Sequence, residues 1–185
     1  MYALLSQAHK KSVNEKALLI KMRNEPKNET LQAKALMQLA SSSGSGARLA
    51  SIDGGLKAVT TAMKNHPKST GVQSYGAQVL GSTAQPDAVA GQGGIDAIVA
   101  ALRVHSTSAS VVKNALDALK FLITCSRACL ERFLVCGGVD ALAGVLAGNL
   151  KNVGILSTVG HVAMASFAVV TDQPKGSNNN SGVSA

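Results

Sequence analysis

The chain has 185 residues, 46% of them hydrophobic, and carries a formal net charge of +8. This length favours one domain with a substantial core over two small ones. No apolar run approaches the ~18 residues of a membrane-spanning helix, since even ILSTVGHVAMASFAVV (155–170) is interrupted by Ser, Thr, Gly and His.

From the start, YALLSQAHKK (2–11) reads as a short helix. It has no basic residue before its apolar patch and no small-residue cleavage site, so it does not read as a secretory signal. Arg23 is the first arginine and no other precedes residue 48, while Glu15, Glu25 and Glu29 intrude, which speaks against a mitochondrial presequence. The stretch MRNEPKNETLQ (22–32) then parallels MKNHPKSTGVQ (63–73), further along the chain. Between them, ARLASI (47–52) predicts a short helix ahead of GGLKAVTTAM (54–63). PDAVAG (86–91), with its Pro86 at a first helical turn, precedes GGIDAIVAAL (93–102), and the longer SRACLERFLVC (126–136) precedes GGVDALAGVL (137–146). After Val170 the chain becomes TDQPKGSNNNSGVSA, a polar segment with no means of burying itself, expected to be a disordered tail over 171–185.

The three Gly-Gly phrases are copies of one amphipathic helix. Counted from Leu56, Ile95 and Val139, apolar residues recur at +3 (Val59, Ile98, Leu142) and +7 (Met63, Leu102, Leu146). The glycines ahead of them mark a turn that favours residues tolerating positive φ. A further helix begins nine residues after Met22, Met63 and Leu102 and ten after Leu146, at Leu31, Val72, Val111 and Leu156. Counted from these, +4 is small (Ala35, Gly76, Ala115, Gly160) and +8 is large (Leu39, Leu80, Leu119, Met164). In the first copy Glu15 stands where the others have an apolar residue, so that copy reads as degenerate. A period near forty built of helices signals a solenoid whose units bury their apolar faces only against neighbours.

LMQLASS (36–42), VLGSTA (79–84), ALDALKFL (115–122) and GHVAMASFA (160–168) resemble the third helix of armadillo repeats, with the related HEAT repeats as the alternative. The resemblance covers roughly residues 15–170, and its strength lies in four copies in register, since no single motif is specific. It implies an all-α fold: a right-handed superhelix of about four units near 1–43, 44–84, 85–125 and 126–170, within one domain over 1–170.

In that family partners bind the concave row of third helices. Offsets +3, +6 and +10 point together, about 120° from the core stripe. The residues so presented are Lys34, Met37 and Ser41; Tyr75, Gln78 and Ser82; Asn114, Asp117 and Phe121; and Val159, Val162 and Ser166. The importin-α subgroup carries Trp at +6 and Asn at +10; this chain has Met37, Gln78, Asp117 and Val162, then Ser41, Ser82, Phe121 and Ser166, so a clamp for nuclear-signal peptides is not expected. The resemblance implies a non-enzymatic adaptor or accessory subunit that binds another protein or an assembly, without cofactor or metal. The last helix is apolar on several faces, with no polar capping face, which predicts a partner, a second copy or a refolded tail against it.

Other chemistry is weakly represented. Cys125, Cys129 and Cys136 lack CxxC or finger spacing and read as small core hydrophobes; their odd number suits a reducing, intracellular compartment, with the cytoplasm expected. His66 and His105 occupy equivalent loop positions where Glu25 stands in the first copy, and His9 and His161 read as helix residues without a catalytic partner. Asp96 and Asp140 open their helices, where a carboxylate complements the helix dipole. GVQSYGAQ (71–78) has the glycine spacing of a phosphate loop, but Ala77 and Gln78 replace the Lys and Ser/Thr such a loop needs. Half of the net charge falls in residues 1–40, where Lys10, Lys11, Lys16, Lys21, Arg23, Lys27 and Lys34 face three acids; RNA or another polyanion is the alternative partner, though base-stacking aromatics are missing there.

Overall fold

The computed structural model describes residues 14–42 and 44–171, and among these the secondary structure is entirely helical. The predicted helix 2–11 and nearly all of the predicted tail lie outside the described residues. In chain order the helices are α1 (14–24), α2 (Glu29–Ser41), α3 (Ser45–Ser51), α4 (Gly55–Asn65), α5 (Thr70–Gly81), α6 (Pro86–Gly91), α7 (Gly94–Val104), α8 (Ala109–Cys125), α9 (Arg127–Val135), α10 (Gly138–Gly148) and α11 (Val153–Thr171). None is long and apolar enough to cross a membrane.

The Gly-Gly pairs hold two different constraints. The first glycine, Gly54, Gly93 or Gly137, has φ of 64°, 74° or 75°, the left-handed turn that ends one helix and opens the next. The second glycine is needed for space: a side chain on Gly55, Gly94 or Gly138 would collide with Leu49, Val89 or Phe133 of the short preceding helix. The pair therefore fixes both the turn and the close packing of α3 on α4, α6 on α7 and α9 on α10.

Packing is serial. Helix α2 packs on α5, α5 on α8 and α8 on α11, while α4 packs on α7 and α7 on α10. One core runs along this row, through Leu36, Leu39, Leu80, Ile98, Leu116, Leu119, Phe133 and Val162, all fully buried. Equivalent hydrogen bonds about forty residues apart fasten consecutive helices inside a copy, α1 to α2 and α4 to α5. Gln32 Nε2 donates to the Met22 and Glu25 carbonyls at 2.8 and 2.9 Å, and Gln73 Nε2 does the same to Met63 and His66. Each glutamine thus satisfies carbonyls left free at the end of the preceding helix.

The loops form a second ladder. His66 Nε2 lies 2.9 Å from the Pro26 carbonyl and His105 Nε2 lies 2.8 Å from that of Pro67, while Asn149 Nδ2 donates to Ser106 at 2.6 Å. The histidines are therefore loop-to-loop donors. Arg23 donates to the Asp53 carbonyl at 2.6 Å, and Arg103 to the Cys136 and Gly137 carbonyls at 2.9 and 3.0 Å, so each guanidinium grips the glycine turn of the next copy. Glu15 is 2% exposed and takes a forked pair of hydrogen bonds from Arg48 of α3, with the closest contact at 2.5 Å. Its departure from the apolar pattern is thus a buried ion pair between neighbouring copies.

The last copy does not follow the predicted register. Asn152 caps α11 by accepting from the Ile155 amide at 3.2 Å, as Asn28 caps α2 by accepting from Leu31 at 3.1 Å. Ile155, not Leu156, is therefore the equivalent of Leu31, Val72 and Val111, and the step from Leu146 is nine residues as elsewhere. Ile155, Val159, Val162 and Ser166 are buried, whereas Gly160 is exposed and Met164, expected in the core, is 71% exposed.

Candidate functional site

The predicted surface row can now be placed residue by residue. On α2, Lys34, Met37 and Ser41 are exposed, and Ser41 Oγ is turned back onto the Met37 carbonyl at 2.8 Å. On α5, Gln78 and Ser82 are exposed and Tyr75 is half-buried. On α8, Asp117 is exposed and pairs with Lys113 one turn earlier at 2.9 Å, and Phe121 leaves 40% of its surface in solvent. Asn114 is committed to the neighbouring helix: its Nδ2 donates to Ser74 Oγ at 2.9 Å, a bond that joins α8 to α5.

On α11 the prediction fails by one residue. Val159, Val162 and Ser166 are 3%, 0% and 7% exposed and pack towards α8, so they are not surface residues. With Ile155 as origin, the equivalent positions are Thr158, His161 and Ala165, of which His161 is exposed and the other two half-buried. The asparagine cap three residues ahead of Ile155 was the available signal. It was masked because α11 is apolar on several sides and satisfies either register.

The row combines two aromatic rings, Tyr75 and Phe121, with amide, hydroxyl and single-charge side chains. Such a surface can hold an extended or helical peptide through aromatic anchors. It offers no nucleophile beside a base. Among the described residues no group of three or more His, Cys, Asp or Glu side chains is placed to hold a metal ion. The cysteines diverge: Cys125 is exposed, Cys129 is buried and donates to the Pro86 carbonyl at 3.1 Å, and Cys136 is half-buried. Burial pushes the thiols of Cys129 and Cys136 above their ordinary range, away from the reactive thiolate.

The sequence reading missed two features. A cleft of about 460 Å³ lies between α1 and α4, lined by Met22, Arg23, Lys57, Ala58 and Thr61 among others. It recurs at about 190 Å³ between α4 and α7, at the equivalent Met63, Lys64, Ala97 and Ala101, so it belongs to the seam between copies. The second feature is electrostatic. Arg132 of α9 makes a forked contact with Asp96 of α7, and the guanidinium holds the Asp96 carboxyl below its ordinary range. Asp96 thus does more than complement its own helix dipole.

No family model, curated protein or solved structure matches the chain.

Proposed function

We propose that the chain is an armadillo-type right-handed superhelix of about four units and acts as a non-enzymatic protein-interaction module, an adaptor or accessory subunit. The observation that carries this reading is the row of exposed polar side chains on α2, α5 and α8 punctuated by Tyr75 and Phe121, on helices that pack one against the next. A rigid row of this kind presents anchors at fixed spacing, and the aromatic ones dominate the binding energy. The hydrogen bonds recurring at forty-residue intervals support the repeated-unit reading: those of Gln32 and Gln73 recur inside successive copies, and those of the loop histidines, Arg23 and Arg103 join one copy to its neighbour.

The experiment is a capture of partners from the native source by the full chain, compared with Tyr75→Ala and Phe121→Ala. Loss of the same partner in both variants, with unchanged helicity and melting, is expected. Retention of all partners by both variants would remove the row from the proposal.

A second reading, polyanion binding, draws on Lys16, Lys21 and Lys27, which are exposed and join none of the ion pairs found among the described residues. Heparin retention that falls steeply with salt and requires these lysines would favour it.

A further inference from the structure

We propose that the cleft between α1 and α4 is a binding site for an elongated small carboxylic acid, with its carboxylate beside Arg23 and Lys57, its apolar body along the cleft wall, and a hydroxyl or N–H at its far end donated to Gln32. The site is separate from the exposed row on α2, α5 and α8. What reveals it is the difference between equivalent seams of the same chain.

Each seam lays a cation from the end of one helix over the glycine turn that opens the next. In the two later seams a carboxylate of the chain stands there as well: a side chain on Gly93 would meet both Lys64 and Asp96, and one on Gly137 would meet both Arg103 and Asp140, all within 4.0 Å. In the first seam a side chain on Gly54 would meet Arg23 alone. Lys57 occupies the position of Asp96 and Asp140, and the first turn of α4 holds no acid. Arg23, Lys57 and the positive end of an 11-residue helix therefore share a turn that lacks the anion built into the other copies. Asp53 is the one acid among the lining residues, and two cations outweigh it.

The opposite end of the cleft presents an unmet acceptor. Gln32 lines the cleft and is 1% exposed. Its Nε2 donates to the Met22 and Glu25 carbonyls, and its Oε1 is, among the described residues, the one buried side-chain oxygen or nitrogen without a hydrogen-bond partner. A buried acceptor left without a donor is costly, so a ligand hydroxyl or N–H supplied there is favoured.

Between these ends α4 carries Lys57, Thr61 and Asn65, exposed and one turn apart, beside the more buried Ala58 and Ala62. From Lys57 to Asn65 the helix rises about 12 Å, which sets the length of the ligand. The equivalent wall of the next seam reads Asp96, Ala100 and Val104, and its cleft has about 190 Å³ against about 460 Å³ here. The larger volume falls within the range of small-molecule sites and the smaller one below it.

The probe is 10-hydroxydecanoate, which carries a carboxylate and a hydroxyl at opposite ends of an extended apolar chain, titrated into the full isotope-labelled protein and followed by amide chemical shifts. The expected result is saturable binding with the shifts concentrated in α4, the end of α1 and Gln32. Decanoate, without the hydroxyl, and 1,10-decanediol, without the carboxylate, should each bind about tenfold more weakly. Lys57→Asp gives the first seam the carboxylate of the other two and should weaken the hydroxy acid about tenfold. Lys57 is exposed, so this variant folds, which thermal melting checks. No saturation up to about 10 mM, shifts centred outside the cleft, either control ligand binding as tightly as the hydroxy acid, or an affinity unchanged by Lys57→Asp overturns the proposal. Tyr75→Ala and Phe121→Ala leave this binding unchanged, so failure of the row and failure of this site are read separately.

Discussion

The register of the last helix gives the sharpest single test. Val162 is fully buried against α8, whereas Met164, two residues on, is 71% exposed. Val162→Ala removes two carbons, about 0.8 kcal/mol each by transfer, and the cavity left in a close-packed seam raises the cost to about 2–3 kcal/mol. Met164→Ala removes surface already in water and should lie within about 0.5 kcal/mol of wild type. Urea denaturation measures both. Amide exchange over 153–171 adds the local reading, since the loss should concentrate in α11. The register drawn from hydrophobic spacing alone expects the reverse order. Equal or inverted costs would therefore refute the cap-based alignment.

Three other outcomes follow from the packing. Leu119→Ala, at a fully buried position on α8, should cost ~2–5 kcal/mol, while Lys113→Ala breaks only an exposed pair and should cost no more than about 0.5 kcal/mol, both read by thermal melting. Asp96 has a depressed carboxyl in the folded chain because of Arg132, so its contribution is present above the unfolded value near 3.9 and is lost as pH falls through the lower folded value. Asp96→Asn should therefore be less stable than wild type at neutral pH, with the gap closing in urea melts below about pH 4. A thiol-specific disulfide reagent at neutral pH should modify Cys125 rapidly, and Cys136 and Cys129 slowly, with Cys129 requiring unfolding.

What the sequence revealed and what it hid divide along a physical line. The glycine turns were legible because a left-handed φ is a constraint local to the pair, whereas the close approach of Leu49, Val89 and Phe133 to the second glycine emerged only with the packing. The short helices before them were legible for the same reason, through Pro86 at a first turn and the glycine that ends each one. On α2, α5 and α8 period placed Lys34, Met37, Ser41, Gln78, Ser82, Asp117 and Phe121 at exposed positions, but Tyr75 is half-buried and Asn114 is turned into the contact with Ser74. On α11, where apolar residues surround the helix, period carries no register, and the polar cap at Asn152 decides it. Contacts between copies were invisible: Glu15 looked like a flaw until Arg48, 33 residues away, supplied its counter-ion, and the equivalent loop positions of His66 and His105 had no visible role until their carbonyl partners were placed.

The central claim is that the copies form an open row with ends apart. Electron spin–spin distances between nitroxides at the equivalent exposed positions Met37, Gln78, Asp117 and His161 measure it directly. Neighbouring helices pack at about 8–10 Å, so the account predicts distances that lengthen stepwise along the row, reaching about 24–30 Å over the three steps from Met37 to His161. A Met37–His161 distance no longer than that between adjacent sites would mean that the ends meet in a closed bundle, and would contradict the account.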